Sequence, residues 1–262
     1  MNPWSDGFLL SLEALLPVRG GGAAVWDSVL FDLDGTLLDY AAAQRGALND
    51  CCLDLGIEVD EGLRSSLLGF LNSDPVQAVE ACRPGAPGIS DEAVCASFPL
   101  SGTVFCPEFL DSYFLALSSQ FQTIDGAVET LKAVRNTSRI AAVSNGPGPV
   151  QRARMEGAGL MQYFDAIVIS CEIGTAKPDP AIFEKALRLL SSPKDTAVAI
   201  GDGAASDMAG AEAAGIDFVY FRSDGRFAPD GRRIAQITDL REFPGLPGFQ
   251  SIQAGSNRPA GG

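Results

Sequence analysis

The chain has 262 residues, of which 46% are hydrophobic, and its 33 acidic residues outnumber the 19 basic ones to give a net charge of −14. This apolar content excludes a disordered chain, and the length suits one α/β domain with a smaller companion. Such an acidic surface argues against nucleic acid polymers and anionic membranes as partners, because both attract basic surfaces.

The residue types that are missing narrow the chemistry further. There is no histidine, which excludes histidine-based triads and histidine-ligated zinc and leaves carboxylates for proton transfer.

The apolar segment Phe8 to Val18 follows an acidic residue and contains Glu13, so it does not fit a secretory signal. The six cysteines show no metal-binding spacing, and we expect reduced thiols in a cytoplasmic protein.

The first third of the chain is predicted to hold one strand and then only helices. Residues 1–22 form an N-terminal extension that ends in three glycines, and the first strand is predicted for Ala24 to Phe31. Apolar residues at helical spacing then continue to about Gln120, interrupted by a Pro- and Gly-rich loop at 83–88. The predicted helices are Ala41–Leu55, Glu61–Leu71, Pro75–Ala81, Asp91–Phe98 and Pro107–Gln120.

After Thr123 helices and strands alternate, which predicts a Rossmann-like, mostly parallel sheet with helices on both faces. The predicted α/β core therefore comprises residues 23–40 and 121–244, a helical insert occupies 41–120, and 245–262 form a mobile tail rich in Gly and Pro. The predicted strands are Arg139–Val143, Ala166–Ile169, Thr196–Ile200, Phe218–Phe221 and an edge strand Ile234–Ile237, and the predicted helices are Gly126–Arg135, Pro149–Ala158, Pro180–Leu190 and Ser206–Ala214.

Polar residues follow several of these strands at the edge where ligands bind in open α/β sheets. Asp32 and Asp34 lie one residue apart after the first strand, and like charges that close repel unless a cation or a proton lies between them. An isolated motif of this kind is more often a solvated turn, but three further motifs follow later strands. They are Ser144-Asn145-Gly146, Lys177-Pro178, and Gly201-Asp202 with Asp207 five residues beyond Asp202.

In this combination and order, the four motifs resemble those of the haloacid dehalogenase (HAD) superfamily over roughly residues 28–225. A helical insert between the first and second motifs resembles the type-1 cap of subfamily I. The segment from Gln162 to Phe183 is also similar to the bacterial nucleotidase and N-acylneuraminate-9-phosphatase branch. The resemblance implies a phosphatase that forms an aspartyl-phosphate intermediate and requires Mg²⁺.

The resemblance also implies a role for each motif residue, and phosphoryl-transfer chemistry agrees with those roles. Asp32 is expected to be the nucleophile and Asp34 the general acid and base. Carboxylates suit Mg²⁺, so Asp32, Asp202 and the Asp34 backbone carbonyl are the expected metal ligands, joined by Asp207 directly or through water. The expected phosphate-binding groups are the Ser144 hydroxyl, the Asn145 backbone N–H and Lys177, which is also a candidate to pair with the aspartates.

Alternatives remain at this point. Dehalogenases of the superfamily lack an aspartate at the position of Asp34, and its phosphonate hydrolases use a cap lysine, whereas residues 41–120 contain no lysine. A phosphomutase and a non-catalytic binding or assembly module stay open. We expect a monomer or homodimer acting on a small phosphorylated metabolite, with cap arginines 45, 64 and 83 either binding the leaving group or solvated. Nucleotide, sugar phosphate and phosphoglycolate are not separated by the sequence.

Overall fold

The computed structural model describes residues 26–73, 76–77, 92–96, 98–100, 106–226 and 234–252. The predicted N-terminal extension, the loop at 83–88 and the segment 253–262 lie outside these ranges.

A six-stranded parallel sheet forms the centre of the molecule, which confirms the predicted α/β class. The strands are short apolar runs whose alternate residues face opposite layers, so that Val29 and Phe31 pack on one side and Leu30 on the other. The strand order is β3-β2-β1-β4-β5-β6, which places β1 between β2 and β4. The strands are β1 Ser28–Phe31, β2 Arg139–Ser144, β3 Ala166–Ile169, β4 Ala197–Gly201, β5 Asp217–Phe221 and β6 Ala235–Ile237.

In the described part of the insert, four helices with defined bounds and the helical residues 76–77 form a hydrophobic cluster, which also includes Val150 of the core. The first begins after Asp39, whose carboxylate accepts the backbone N–H of Ala42 and so caps the helix. Of the predicted helices Pro75–Ala81 and Asp91–Phe98, only 76–77 and 92–95 are described as helical, and Phe98 is not helical. The four are α1 Tyr40–Asp54, α2 Glu61–Leu71, α3 Glu92–Cys95 and α4 Cys106–Leu117.

Among the described residues, five further α-helices lie between the strands of the sheet. They are α5 Ala127–Arg135, α6 Gly148–Gly157, α7 Ser170–Ile173, α8 Pro180–Leu190 and α9 Ala209–Ala214. The predicted helix Ser206–Ala214 differs from the structure, because Ala204–Met208 is a π-helical turn and the regular helix begins only at Ala209. Such turns are frequent at functional sites because they reorient side chains, and this one carries Asp207.

The residues from Pro247 to Ile252 correct the first part of the predicted mobile tail, 245–262, whose remainder lies outside the described residues. A 3₁₀ helix at Pro247–Ile252 places Phe249 against Trp26, with ring centroids 5.2 Å apart, and the backbone N–H of Trp26 donates to the Gly248 carbonyl at 3.1 Å. The Gly and Pro content predicted mobility, but burying an aromatic ring outweighs the entropy of ordering one short turn. Leu246 and Phe249 are therefore part of the hydrophobic core.

The cysteines follow the sequence-based expectation in part. Among the described residues, the cysteine side chains outside disulfides are those of Cys51, Cys52, Cys95 and Cys106. Cys171 is disulfide-bonded, so the expectation of reduced thiols is wrong for this residue. Within the described residues, no helix is both long and apolar enough to span a bilayer.

Candidate active site

The predicted motifs meet at the carboxyl edge of three adjacent strands. Asp32 directly follows β1, Ser144 ends β2 and Asp202 follows β4, and these strands are neighbours in the sheet. The Asp32 N–H donates to the Ile200 carbonyl at 3.0 Å, so the ladder between β1 and β4 continues up to the first aspartate. Residues that are 170 positions apart in sequence thus reach one site because their strands end together.

Gly35 makes this close approach sterically feasible. Its φ is +84°, a left-handed conformation that favours glycine, and a Cβ here would lie 2.7 Å from the carboxyl carbon of Asp202. The next residue, Thr36, donates its hydroxyl to Asp32 Oδ2 at 3.0 Å. The Gly-Thr turn therefore both admits the second aspartate and orients the first.

Lys177 is the central cation of the site. Its Nζ donates to Asp32 Oδ1 at 2.5 Å, to Asp207 Oδ1 at 2.6 Å and to the Val143 carbonyl at 3.0 Å, and its side chain is 3% exposed. An ammonium has three donors, and all three are engaged here. The sequence analysis gave two expected contacts for Lys177, one with the phosphate and one with the aspartates. In this structure Lys177 forms the contacts with the aspartates.

Asn145 fixes the backbone of this lysine through its side chain. Its Nδ2 donates to the Lys177 carbonyl at 2.9 Å, and its Oδ1 accepts the Lys177 N–H at 2.7 Å. The sequence motif pointed to the Asn145 backbone N–H as a phosphate donor, and it gave no indication of this side-chain clamp. The clamp joins the second and third motifs, because it ties the end of β2 to the loop that presents Lys177.

Three carboxylates form a cluster that could hold a metal ion. Asp32, Asp202 and Asp207 each offer an oxygen, and these atoms lie within 4.8 Å of one another. Asp207 is oriented by the Gly203 N–H, which donates to its Oδ2 at 2.9 Å. Hard oxygen donors of this kind suit Mg²⁺, which is bound through one or two carboxylates together with waters and a phosphate. The donor set therefore fits the expected metal, and Asp207 lies in the cluster.

The electrostatics of the cluster indicate a site that lacks positive charge. Burial, and then the neighbouring Asp207, raise the pKa of Asp32 well above its ordinary value, although Lys177 opposes the shift. The same two causes raise the pKa of Asp202 to about 6. Burial lowers the pKa of Lys177, but Asp207 and Asp32 outweigh it and leave that pKa above its ordinary value. Two of the three carboxylates are thus disfavoured as anions until further positive charge arrives.

The Asp34 carboxylate is not part of this cluster and is bound by two side chains of helix α6. Its Oδ1 accepts from the guanidinium of Arg154, and its Oδ2 accepts from Gln151 Nε2 at 2.5 Å. Gln151 Nε2 also donates to the Ser144 hydroxyl at 2.7 Å. The sequence analysis missed Gln151 and Arg154. The available signal was two long polar side chains three residues apart on the helix that follows the second motif, which places them on one helical face.

A cavity of about 250 Å³ opens beside these residues. The insert contributes Tyr40, at the start of α1, and Gln77 to its wall. Neither Arg45 nor Arg64 lines the cavity, and Arg64 donates instead to Asn49 at 2.5 Å, while Arg83 lies outside the described residues. The core residues of the wall are Asp32, Asp34, Ser144, Asn145, Gly146, Lys177, Asp202, Ser206 and Asp207.

With this geometry established, comparison with known proteins identifies the family. The model of the haloacid dehalogenase-like hydrolases matches residues 26–215. This chain belongs to that family. The matched range contains all four motifs and the helical insert, which confirms the resemblance found in the sequence.

Individual relatives and structures of this HAD hydrolase agree. A phosphoserine phosphatase of Thermus thermophilus is 34% identical over 244 residues, covering 82% of this chain and 96% of that protein. The pyrimidine 5′-nucleotidase YjjG of Escherichia coli is 34% identical over 122 residues, a match that spans 46% of this chain and 54% of the relative. The magnesium-bound crystal structure of the HAD-hydrolase YfnB of Bacillus subtilis superposes with a TM-score of 0.72 at 23% identity, over 84% of this chain and 98% of YfnB. Such relatives indicate a phosphoric monoester hydrolase.

Proposed function

We propose that this HAD hydrolase is a Mg²⁺-dependent phosphatase that cleaves a small organic phosphate monoester through an aspartyl-phosphate on Asp32. The observation that carries the proposal is the grouping of Asp32, Asp202 and Asp207 within 4.8 Å beside a buried lysine and an open cavity. Bound Mg²⁺ would be held by these carboxylates and would neutralise charge on the phosphoryl group.

The chain's own residues account for the remaining requirements of the reaction. Lys177 and Thr36 each donate to one oxygen of Asp32, which holds the nucleophile in one orientation. Attack by Asp32 forms an O–P bond as the bond to the leaving oxygen breaks, and Asp34 gives its proton to that oxygen. Asp34 then takes a proton from the water that attacks the aspartyl-phosphate, which releases inorganic phosphate and regenerates Asp32.

The groups that bind the phosphoryl oxygens are assigned from the residues that line the cavity. We assign the Ser144 hydroxyl and the Asn145 backbone N–H to the phosphoryl oxygens, because both residues line the cavity beside Asp32. Lys177 contributes its charge through Asp32 and Asp207, since its three donors are already engaged. The enzyme is proposed to work in the cytoplasm as a monomer or homodimer, without nucleic acid or membrane partners, in keeping with its net charge of −14.

A phosphate-release assay tests the proposal. Wild-type protein is supplied with Mg²⁺ and p-nitrophenyl phosphate, then with a panel of nucleotide, sugar and acid phosphates. We expect release of inorganic phosphate that chelation and Asp32→Asn abolish and that the matched control Asp27→Asn, at an exposed position before β1, preserves. Transfer of the phosphoryl group to a second sugar hydroxyl, with no inorganic phosphate, supports a phosphomutase instead. Equal background in wild-type, chelated and Asp32→Asn samples supports a non-catalytic module.

A further inference from the structure

Arg154 is a fully buried cation outside all four motifs. Its relative exposure is 0%, and it lies on α6, one helical turn after Gln151. Its Nη1 contacts Asp34 Oδ1 and donates to Gln151 Oε1 at 3.2 Å. Burying a guanidinium is expensive unless it is paired and hydrogen-bonded, so its position beneath Asp34 requires an explanation.

The other contacts of Arg154 reach both chain crossings between the core and the insert. Its Nε donates to the Gln120 carbonyl at 2.9 Å, just before the chain returns to the core. Its guanidinium carbon lies 5.9 Å from the ring centroid of Tyr40, the first residue of α1. One side chain therefore contacts the start of the insert, the end of the insert and Asp34.

The guanidinium is not fully satisfied by these contacts. Arg154 Nη2 is buried and has no hydrogen-bond partner among the described residues. A residue that served packing alone would be better replaced by an apolar side chain, because an unpaired buried donor destabilises the fold. An apolar residue could not supply the contacts of Arg154 with the Gln120 carbonyl, Gln151 Oε1 and Asp34, and among these three only Asp34 belongs to a sequence motif.

We propose that Arg154 is the positioning residue for the general acid Asp34, with Gln151 as its second support. Arg154 holds Oδ1, and the amide of Gln151 restricts rotation of the carboxyl group and ties it to Ser144. Oδ2 accepts from Gln151 at one of its two lone-pair positions. The other position carries the proton that passes to the leaving-group oxygen as the P–O bond breaks and the O–P bond to Asp32 forms. This assignment rests on the proposed function of the site.

The leaving group provides the test, since only a poor leaving group needs a proton. The experiment measures kcat/KM, which reports phosphoryl transfer to Asp32, for an alkyl phosphate and for 2,4-dinitrophenyl phosphate. General acids contribute about 10²–10⁴-fold, and misplacing one by about 1 Å removes about 10²-fold. For Arg154→Met we expect a loss of about 100-fold on the alkyl phosphate and of less than about 3-fold on the aryl phosphate, with partial recovery in Arg154→Lys.

Arg152 offers a matched control on the same helix. It is partly exposed and pairs with Glu172 at 2.6 Å, so Arg152→Met should leave both substrates unaffected. Gln151→Ala should lower kcat/KM by about 10-fold on the alkyl phosphate and far less on the aryl phosphate. This variant provides the test if Arg154→Met does not fold. Equal losses on both substrates, or no loss on either, would overturn the positioning role alone. Wild-type protein that hydrolyses neither substrate would overturn the proposed function and this assignment with it.

Discussion

The Nζ of Lys177 lies 2.6 Å from Asp207 Oδ1, so an ammonium and a carboxylate from two different motifs form a buried ion pair. The same ammonium reaches Asp32 at 2.5 Å. One cation thus offsets part of the charge of two aspartates, and the remaining negative charge suits a divalent ion.

We expect Lys177→Met to destabilise the protein strongly. Removing the cation leaves two buried carboxylates facing each other, a change that typically lowers the free energy of unfolding by about 3–5 kcal/mol. The double variant Lys177→Met/Asp207→Asn should be more stable than the single one, because the repulsion is relieved. Chemical denaturation in chelator measures both values. Additive effects of the two changes would contradict the pairing.

The metal-free protein should lose stability as the pH rises. Folding raises the pKa of Asp202 from 3.8 to about 6. Between these values the folded state keeps a proton that the unfolded state has released. The free energy of unfolding should therefore fall between about pH 4 and pH 6, by on the order of 2 kcal/mol more than in Asp202→Asn.

Mg²⁺ should counteract the loss of stability at higher pH, because it binds the ionised carboxylates. Melting temperatures of chelated and Mg²⁺-loaded samples at pH 5 and pH 7 measure the effect, and the stabilisation by Mg²⁺ should be larger at pH 7. A stabilisation that is equal at both values would speak against binding to these aspartates.

Phe249 provides a test of the corrected C-terminal segment. Its ring lies 5.2 Å from Trp26 and 5.1 Å from Phe243, and its relative exposure is 7%. Phe249→Ala should therefore lower the free energy of unfolding by about 3–5 kcal/mol. The exposed Leu115, changed to alanine, serves as the control and should cost far less. A loss at Phe249 no greater than at Leu115 would restore the interpretation of 245–252 as a mobile tail.

Asp34→Asn should slow both the phosphorylation of Asp32 and the hydrolysis of the aspartyl-phosphate when the substrate is an alkyl phosphate. With an aryl phosphate, only the hydrolysis should be slowed. Because 2,4-dinitrophenolate leaves without a proton, Asp32 can still be phosphorylated, whereas the hydrolysing water lacks its base. Stopped-flow measurement should show a burst of one dinitrophenolate per enzyme, followed by turnover about 10²–10⁴-fold below wild type. A variant with a wild-type steady-state rate and no burst would show that Asp34 is not the acid and base.

The sequence predicted the convergence of Asp32, Ser144, Lys177 and Asp202 because parallel strands place their carboxyl ends at one edge. The sequence also predicted the exact bounds of two helices, α2 at Glu61–Leu71 and α8 at Pro180–Leu190. Helical periodicity and clear end signals specify such segments without help from the rest of the fold.

What the sequence did not reveal depends on partners that are distant in the chain. Arg154 reads as an ordinary polar residue of an amphipathic helix, and only the folded chain brings it beneath Asp34, 120 positions away. Asn145 likewise acts on Lys177 through its side chain, which no local pattern indicates. The disulfide of Cys171 and the packing of Phe249 also depend on three-dimensional neighbours that composition does not report.

The central claim is that the Asp32 carboxylate becomes phosphorylated, and chemical trapping measures this most directly. Wild-type protein is mixed with Mg²⁺ and 2,4-dinitrophenyl phosphate, quenched in acid during turnover and reduced with borohydride, which converts an acyl phosphate to an alcohol. Mass spectrometry of the peptide that contains residue 32 should find homoserine in place of Asp32, and none when Mg²⁺ is omitted. An unmodified Asp32 in an actively turning-over sample, or homoserine at another aspartate, would contradict the account.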